Sequence, residues 1–185
     1  MDSQNHLKRW EKFQNDKRES ILSHKEKILI VIYGAYNPPT DDEHLGEKER
    51  LIKLRNHLRN EGYINSYIVE DFPDNEESDI PNLEKSLDCL ELADLNILVF
   101  TCRGKTGSVA RELIYSIEHH LLYKCKVFEE VGNEIPAMET LLKEELKPER
   151  YNVVQVEKEN DDDLYGHVSG DVYSFFNKFI KKILS

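Results

Sequence analysis

Glu112 stands in Gly107-Ser108-Val109-Ala110-Arg111-Glu112-Leu113, a segment of helical spacing that follows the apolar run Leu95–Phe100. In an open parallel sheet, ligands bind where strand C-termini give way to helix N-termini. A carboxylate there can stabilise or trap a developing cation, which is how a sugar–base bond is broken. The competing reading is a solvated surface charge, the usual fate of a helical Glu. On a helical wheel Glu112 lies off the centre of the stripe Val109, Leu113, Ile117 and Leu121, on a side shared with Ser108, Ser116 and His119. It is therefore expected to line a crevice or to face bulk water, and not to be forced into the core.

Two loops, after the first and third strands, are expected to face each other across a crevice. Arg103-Gly104-Lys105-Thr106-Gly107-Ser108 has the ingredients of an anion site: glycines for close backbone approach, cations, and a helix N-terminus with free N–H groups. It lacks the GxxxxGK[ST] order of a P-loop, and an ordinary strand–helix turn is the alternative. Tyr33-Gly34, with Tyr36 and Asn37 just beyond, fits an aromatic lid over a glycine floor on which a flat base could stack. The alternative for Tyr33 is a core position with its hydroxyl reaching outward.

Other constellations carry less. Asp41-Asp42-Glu43-His44 and Asp161-Asp162-Asp163 lack EF-hand spacing, and His119-His120 are adjacent, not i,i+4, so no metal is assigned. The acidic runs read as solvated loops. No GxSxG elbow is present. Cys102 lies at the crevice edge beside Arg103, whose charge can lower the thiol pKa, but no base accompanies it, so it is not expected to act as a nucleophile. No cofactor is assigned.

Composition bounds the partners. The formal net charge of −11 argues against a nucleic acid duplex, which needs a basic surface. It leaves room for a small anionic ligand held by local donors. No apolar run approaches the roughly 20 residues of a membrane helix, so no membrane partner is expected. Cys89, Cys102 and Cys125 form no CxxC pair, and the segment 1–27 is too polar for a secretory signal. Reduced thiols and a cytoplasmic location follow as expectations.

The elements that must position these residues are legible as alternating strands and helices. Ile28–Tyr33 is a continuous β-branched apolar run, the pattern of a strand buried on both faces. Gly34 ends it, and a loop through Pro38-Pro39 to Gly46 follows. Helices are predicted over 47–61, 82–93, 107–122, 135–146 and 171–184, and further strands over 63–69, 95–101, 126–131 and 151–156. Residues 1–24 read as an extra N-terminal helix with a thin apolar side of Leu7, Trp10 and Ile21, flanked by Phe13 and Leu22. It is expected to pack on the domain edge or on a partner. The prediction is an α/β fold: one doubly wound, five-stranded parallel sheet of flavodoxin-like order 2-1-3-4-5 over residues 25–185. That order puts the switch point between strands 1 and 3.

With these elements in order, the chain resembles the nucleoside 2-deoxyribosyltransferase-like superfamily, which includes nucleotide N-glycosidases. The likeness spans about residues 27–123. It rests on Ile-Val-Ile-Tyr-Gly34, Glu61-Gly-Tyr63, Leu90-Glu-Leu-Ala-Asp94 and Gly107-Ser-Val-Ala-Arg-Glu112-Leu. The resemblance implies that Glu112 is the nucleophile on the anomeric carbon, that Tyr33 holds it or the base, and that a homo-oligomer, a dimer, completes the site. Where that family carries two supporting aspartates, this sequence has Ser86 and Thr106. The same stretch is similar to TIR-type domains through Ser108 and Glu112-Leu113. Some of those cleave NAD, and others only assemble. The expectation is a hydrolase or transferase acting on a small-molecule nucleotide. The alternative is a non-catalytic TIR-like binding or signalling module.

Overall fold

The computed structural model describes residues 2–35, 45–73, 81–102, 107–132 and 153–184. Helix α1 (Asp2–Lys25) precedes strand β1 (Ile30–Gly34), α2 (Leu45–Asn60) and β2 (Ser66–Ile68). A 3-10 turn, Val69–Asp71, leads toward α3 (Pro81–Leu92), and β3 (Leu95–Phe100) and α4 (Gly107–Glu118) come next. After the turn Leu122–Lys124 the chain continues through β4 (Cys125–Glu130), β5 (Val153–Val156) and α5 (Asp161–Leu184). All pairings are parallel, in the order β2-β1-β3-β4-β5. The flavodoxin-like order expected from the alternating pattern is the one observed.

Strand alternation explains the two-sided core. Ile30 and Ile32 point to one face of the sheet, where α2 and α5 cover them with Leu51, Leu54, Leu58, Leu164, Val168 and Val172. Val31 and Tyr33 point to the other face, against α3 and α4 with Cys89, Leu90, Val109 and Leu113. Strand β3 repeats this: Ile97 and Val99 face one way, Leu98 and Phe100 the other. Both central strands are buried throughout, and in β3 even the polar Asn96 is covered.

Gly34 has a packing reason. A Cβ there would lie 2.7 Å from Leu51 Cδ1, so the missing side chain is what lets α2 settle on β1. Strand β1 pairs with β3 from Ile30↔Leu95 to Gly34↔Val99, which brings the two strand ends level. Helix α3 is tied down by polar contacts: Asn96 Nδ2 donates to the Leu90 carbonyl at 3.0 Å, and buried Lys124 Nζ donates to those of Glu91 (2.5 Å) and Ala93 (3.1 Å). These cations and amides satisfy carbonyls left open at the helix C-terminus.

Several boundaries differ from the sequence reading. Helix α2 begins at Leu45, inside the stretch read as loop, and β2 is confined to Ser66–Ile68. The largest correction concerns α5, expected from Asp171 but starting at Asp161. Asp161-Asp162-Asp163 is therefore a helical first turn, not an acidic loop, and the aspartates complement the helix dipole. Asn160 caps it, its Oδ1 accepting from the Asp163 N–H at 3.0 Å. Helix 135–146 and the first residues of the strand predicted over 151–156 lie outside the described residues. In α1, Phe13, Ile21 and Leu22 are largely exposed, while Lys25 Nζ donates to the Glu61 carbonyl at 2.8 Å and lies over the Tyr63 ring. The side chains of Leu7 and Trp10 lie outside the described residues. Among the described residues, no helix is long and apolar enough to cross a membrane.

Candidate functional site

Glu112 is buried, with a relative exposure of only 6%. Its position beside the apolar stripe of α4 does not leave it in water, because α3 packs over that side of the helix. Ser116, one turn further on the same side, is fully covered and donates back to the Glu112 carbonyl at 2.8 Å. Ser108 and His119, at the two ends of this side, remain exposed.

The carboxylate faces α3. Ser86 Oγ donates to Glu112 Oε1 at 2.5 Å, and Oε2 is buried with no hydrogen-bond partner among the described residues. Burial is the main influence on its proton and pushes the pKa up from 4.5 to about 7. The Ser86 hydrogen bond opposes that rise, the charge of Glu70 adds to it, and Arg111 opposes it. Near neutral pH the group is therefore divided between acid and carboxylate, the condition in which a carboxyl can serve acid, base or nucleophilic chemistry.

Glu112 opens onto a cavity of about 450 Å³. Its floor is the end of β1, Tyr33 and Gly34. One wall is Val69 and Glu70 from the turn after β2, and another is Asn82, Lys85 and Ser86 from α3. Gly107, Ser108 and Glu112 at the start of α4 complete it. This is the C-terminal edge of the sheet beside the β1–β3 junction, where an open parallel sheet places its ligands. The volume is that of a small-molecule site.

Tyr33, Gly34, Gly107, Ser108 and Glu112 are thus brought together as the sequence suggested. Tyr33 is only 1% exposed and packs in the core while lining the cavity, so it forms a buried wall and not an open lid. The absent side chain of Gly34 leaves space for Leu51 of α2. Tyr36, Asn37, Arg103, Gly104, Lys105 and Thr106 lie outside the described residues. Sequence reasoning did not assign Val69, Glu70, Asn82 and Lys85, and it reached Ser86 only as the position of a supporting aspartate in the family resembled. A signal for part of this wall existed: Asn82, Lys85 and Ser86 are spaced i, i+3, i+4, which puts three polar groups on one face of α3.

For Cys102 only the direction of the pKa is corrected: the thiol is raised, not lowered, by burial first and by the neighbouring Glu130 charge second, which accords with its not acting as a nucleophile. That Glu130 is buried at the end of β4. It accepts from the Cys102 N–H at 2.8 Å, from the Glu159 N–H at 2.9 Å and from Arg50, which also pairs with Asp161. Burial alone would raise its pKa, but the Cys102 N–H and Arg50 outweigh that and hold it below the usual value. This group ties α2, β3, β4 and α5 together on the sheet face opposite Glu112. Among the described residues, no group of three His, Cys, Asp or Glu side chains is arranged to hold a metal. The Asp41–His44 run lies outside the described residues.

No family model matches this chain, and comparison with curated proteins finds no match.

Proposed function

We propose that the protein cleaves the N-glycosidic bond of a nucleotide, with Glu112 as the group that meets the anomeric carbon. The observation that carries this reading is the buried Glu112, its Oε2 unpartnered among the described residues, opening on a 450 Å³ cavity at the C-terminal edge of the sheet. As the C1′–N bond breaks, its electron pair leaves with the base, and the sugar acquires oxocarbenium character. The Glu112 carboxylate stabilises that cation or bonds to C1′ through one oxygen. A water molecule protonates the departing base, its hydroxide oxygen ends on C1′, and the carboxylate is restored. The balance is nucleotide plus water giving free base and sugar phosphate. A second base in place of water gives the transferase outcome. Tyr33 and the α3 wall enclose the sugar and base, and a homodimer is part of the same proposal.

Ser86, a hydroxyl where the enzymes this chain resembles carry a carboxylate, favours a second reading: a TIR-like nucleotide-binding or signalling module without turnover. One assay separates the two. The purified protein and Glu112→Gln are incubated with NAD and a panel of nucleoside and deoxynucleoside monophosphates, and free base is followed by HPLC. The glycosidase reading expects base release by wild type and at least a thousandfold less by the variant, the usual order for losing a nucleophile. Equal release by both proteins, or nucleotide binding without release that survives Glu112→Gln, sinks it.

A further inference from the structure

Ser86 and Glu112 come from different helices, and each is buried. The C-terminal end of α3 is held by Asn96 of β3 and by Lys124 from the turn before β4, through the carbonyls of Leu90, Glu91 and Ala93, so Ser86 is presented from a helix with its own anchors. A hydroxyl carries one proton and can serve only one carboxylate oxygen. Here it serves Oε1, at 2.5 Å, while Oε2 is left without a partner among the described residues. Ser86 and Glu112 line the same cavity.

We propose that Ser86 is a positioning residue: its hydroxyl holds the Glu112 carboxylate through Oε1 in the orientation from which Glu112 meets the anomeric carbon. The inference rests on the glycosidase reading and deepens it. A freely rotating carboxylate would present either oxygen at a range of angles, and small errors of placement at a reacting centre cost rate heavily. The hydroxyl is also neutral. Among the described residues, the charged and titratable groups that line the cavity with Glu112 or act on its charge are Glu70 from the turn after β2, Lys85 on α3, Tyr33 on β1 and Arg111 on its own helix. A carboxylate in place of Ser86 would add a like charge to this set and suppress ionisation of Glu112, whereas a hydroxyl stabilises the ionised form.

The test uses the full chain with carboxyl-¹³C glutamate, the Glu112 signal being assigned by its loss in Glu112→Gln. We expect the Glu112 titration midpoint to rise by about one pH unit in Ser86→Ala and to stay near the wild-type value in Ser86→Thr, which keeps the hydroxyl. Base release by Ser86→Ala should fall about tenfold more at pH 6 than at pH 9, because one unit of pKa is a tenfold change in ionised fraction on the acid side. An unmoved midpoint, or an equal loss of rate at both pH values, overturns the proposal. If Ser86→Ala does not fold, Ser86→Asp replaces it: a higher midpoint than wild type is expected, and an unmoved one overturns the pairing. Absence of turnover in wild type removes the catalytic half together with the glycosidase reading, while the carboxyl titration still decides the pairing.

Discussion

Burying Glu112 has a pH-dependent cost that can be measured without knowing any ligand. Its pKa rises from 4.5 to about 7 on folding. At 1.36 kcal/mol per unit, a shift of roughly 2.5 units corresponds to about 3 kcal/mol. The folded chain holds this proton more tightly than the unfolded chain does. The favourable contribution is therefore complete below about pH 4.5 and is lost as pH rises through about 7. Glu112→Gln removes the titration but keeps an oxygen that can accept from Ser86 Oγ. Groups that do not act on Glu112 contribute equally to both proteins and cancel in the difference. Urea unfolding of wild type and Glu112→Gln at half-unit steps from pH 5 to 8.5 should show the variant gaining on wild type by about 2–3 kcal/mol across that range. In thermal melts this is a relative gain of about 5–10 °C for a chain of this size. A constant offset between the proteins, flat to within about 0.5 kcal/mol, would refute the buried and ionising carboxylate on which the site rests.

Two further perturbations test the frame that holds the cavity. Glu130→Ala leaves the Arg50 guanidinium buried without its main partner and should cost about 3–5 kcal/mol in urea unfolding, whereas the double change Arg50→Met, Glu130→Leu should recover most of it; a loss below about 1 kcal/mol would show that the tie is dispensable. Gly34→Ala drives a methyl against Leu51 and should cost about 1–3 kcal/mol, with Leu51→Val in the same chain recovering part; simple additivity of the two single changes would contradict the contact.

The fold was readable because its evidence is local. Ile28–Tyr33 is apolar at consecutive positions and Leu95–Phe100 at every position but Asn96, the pattern of strands covered on both faces. The site was readable only in part, because burial of a polar group depends on partners distant in the chain. A helical wheel places Glu112 beside the stripe of α4 but cannot show that α3 covers that side with Ser86, 26 positions earlier. Nothing local marks Glu130 out from its neighbour Glu129, because its partner Arg50 lies 80 positions away. The start of α5 was obscured by Gly166 and Gly170, which are common helix breakers, and by the acidic run before them. The spacing Leu164, Val168, Val172, Phe176 carries the helix through both glycines, because each apolar side chain reaches the core.

These contrasts bear on why Glu112 is there at all. Glu130 is buried as well, but two backbone N–H groups and Arg50 satisfy it, and its pKa falls. It serves as a structural clasp. Glu112 receives one hydroxyl, keeps one oxygen unpartnered among the described residues, and its pKa rises. An apolar side chain of similar volume would suit the α3–α4 packing better and carry no ionisation penalty. A destabilised carboxylate facing a cavity at the C-terminal edge of the sheet is the arrangement expected of a group kept for chemistry, not for packing. The two acids thus separate on one criterion, whether the fold satisfies the charge. The wild type and Glu112→Gln comparison across pH measures that criterion for Glu112, and the base-release assay tests the use to which it is put.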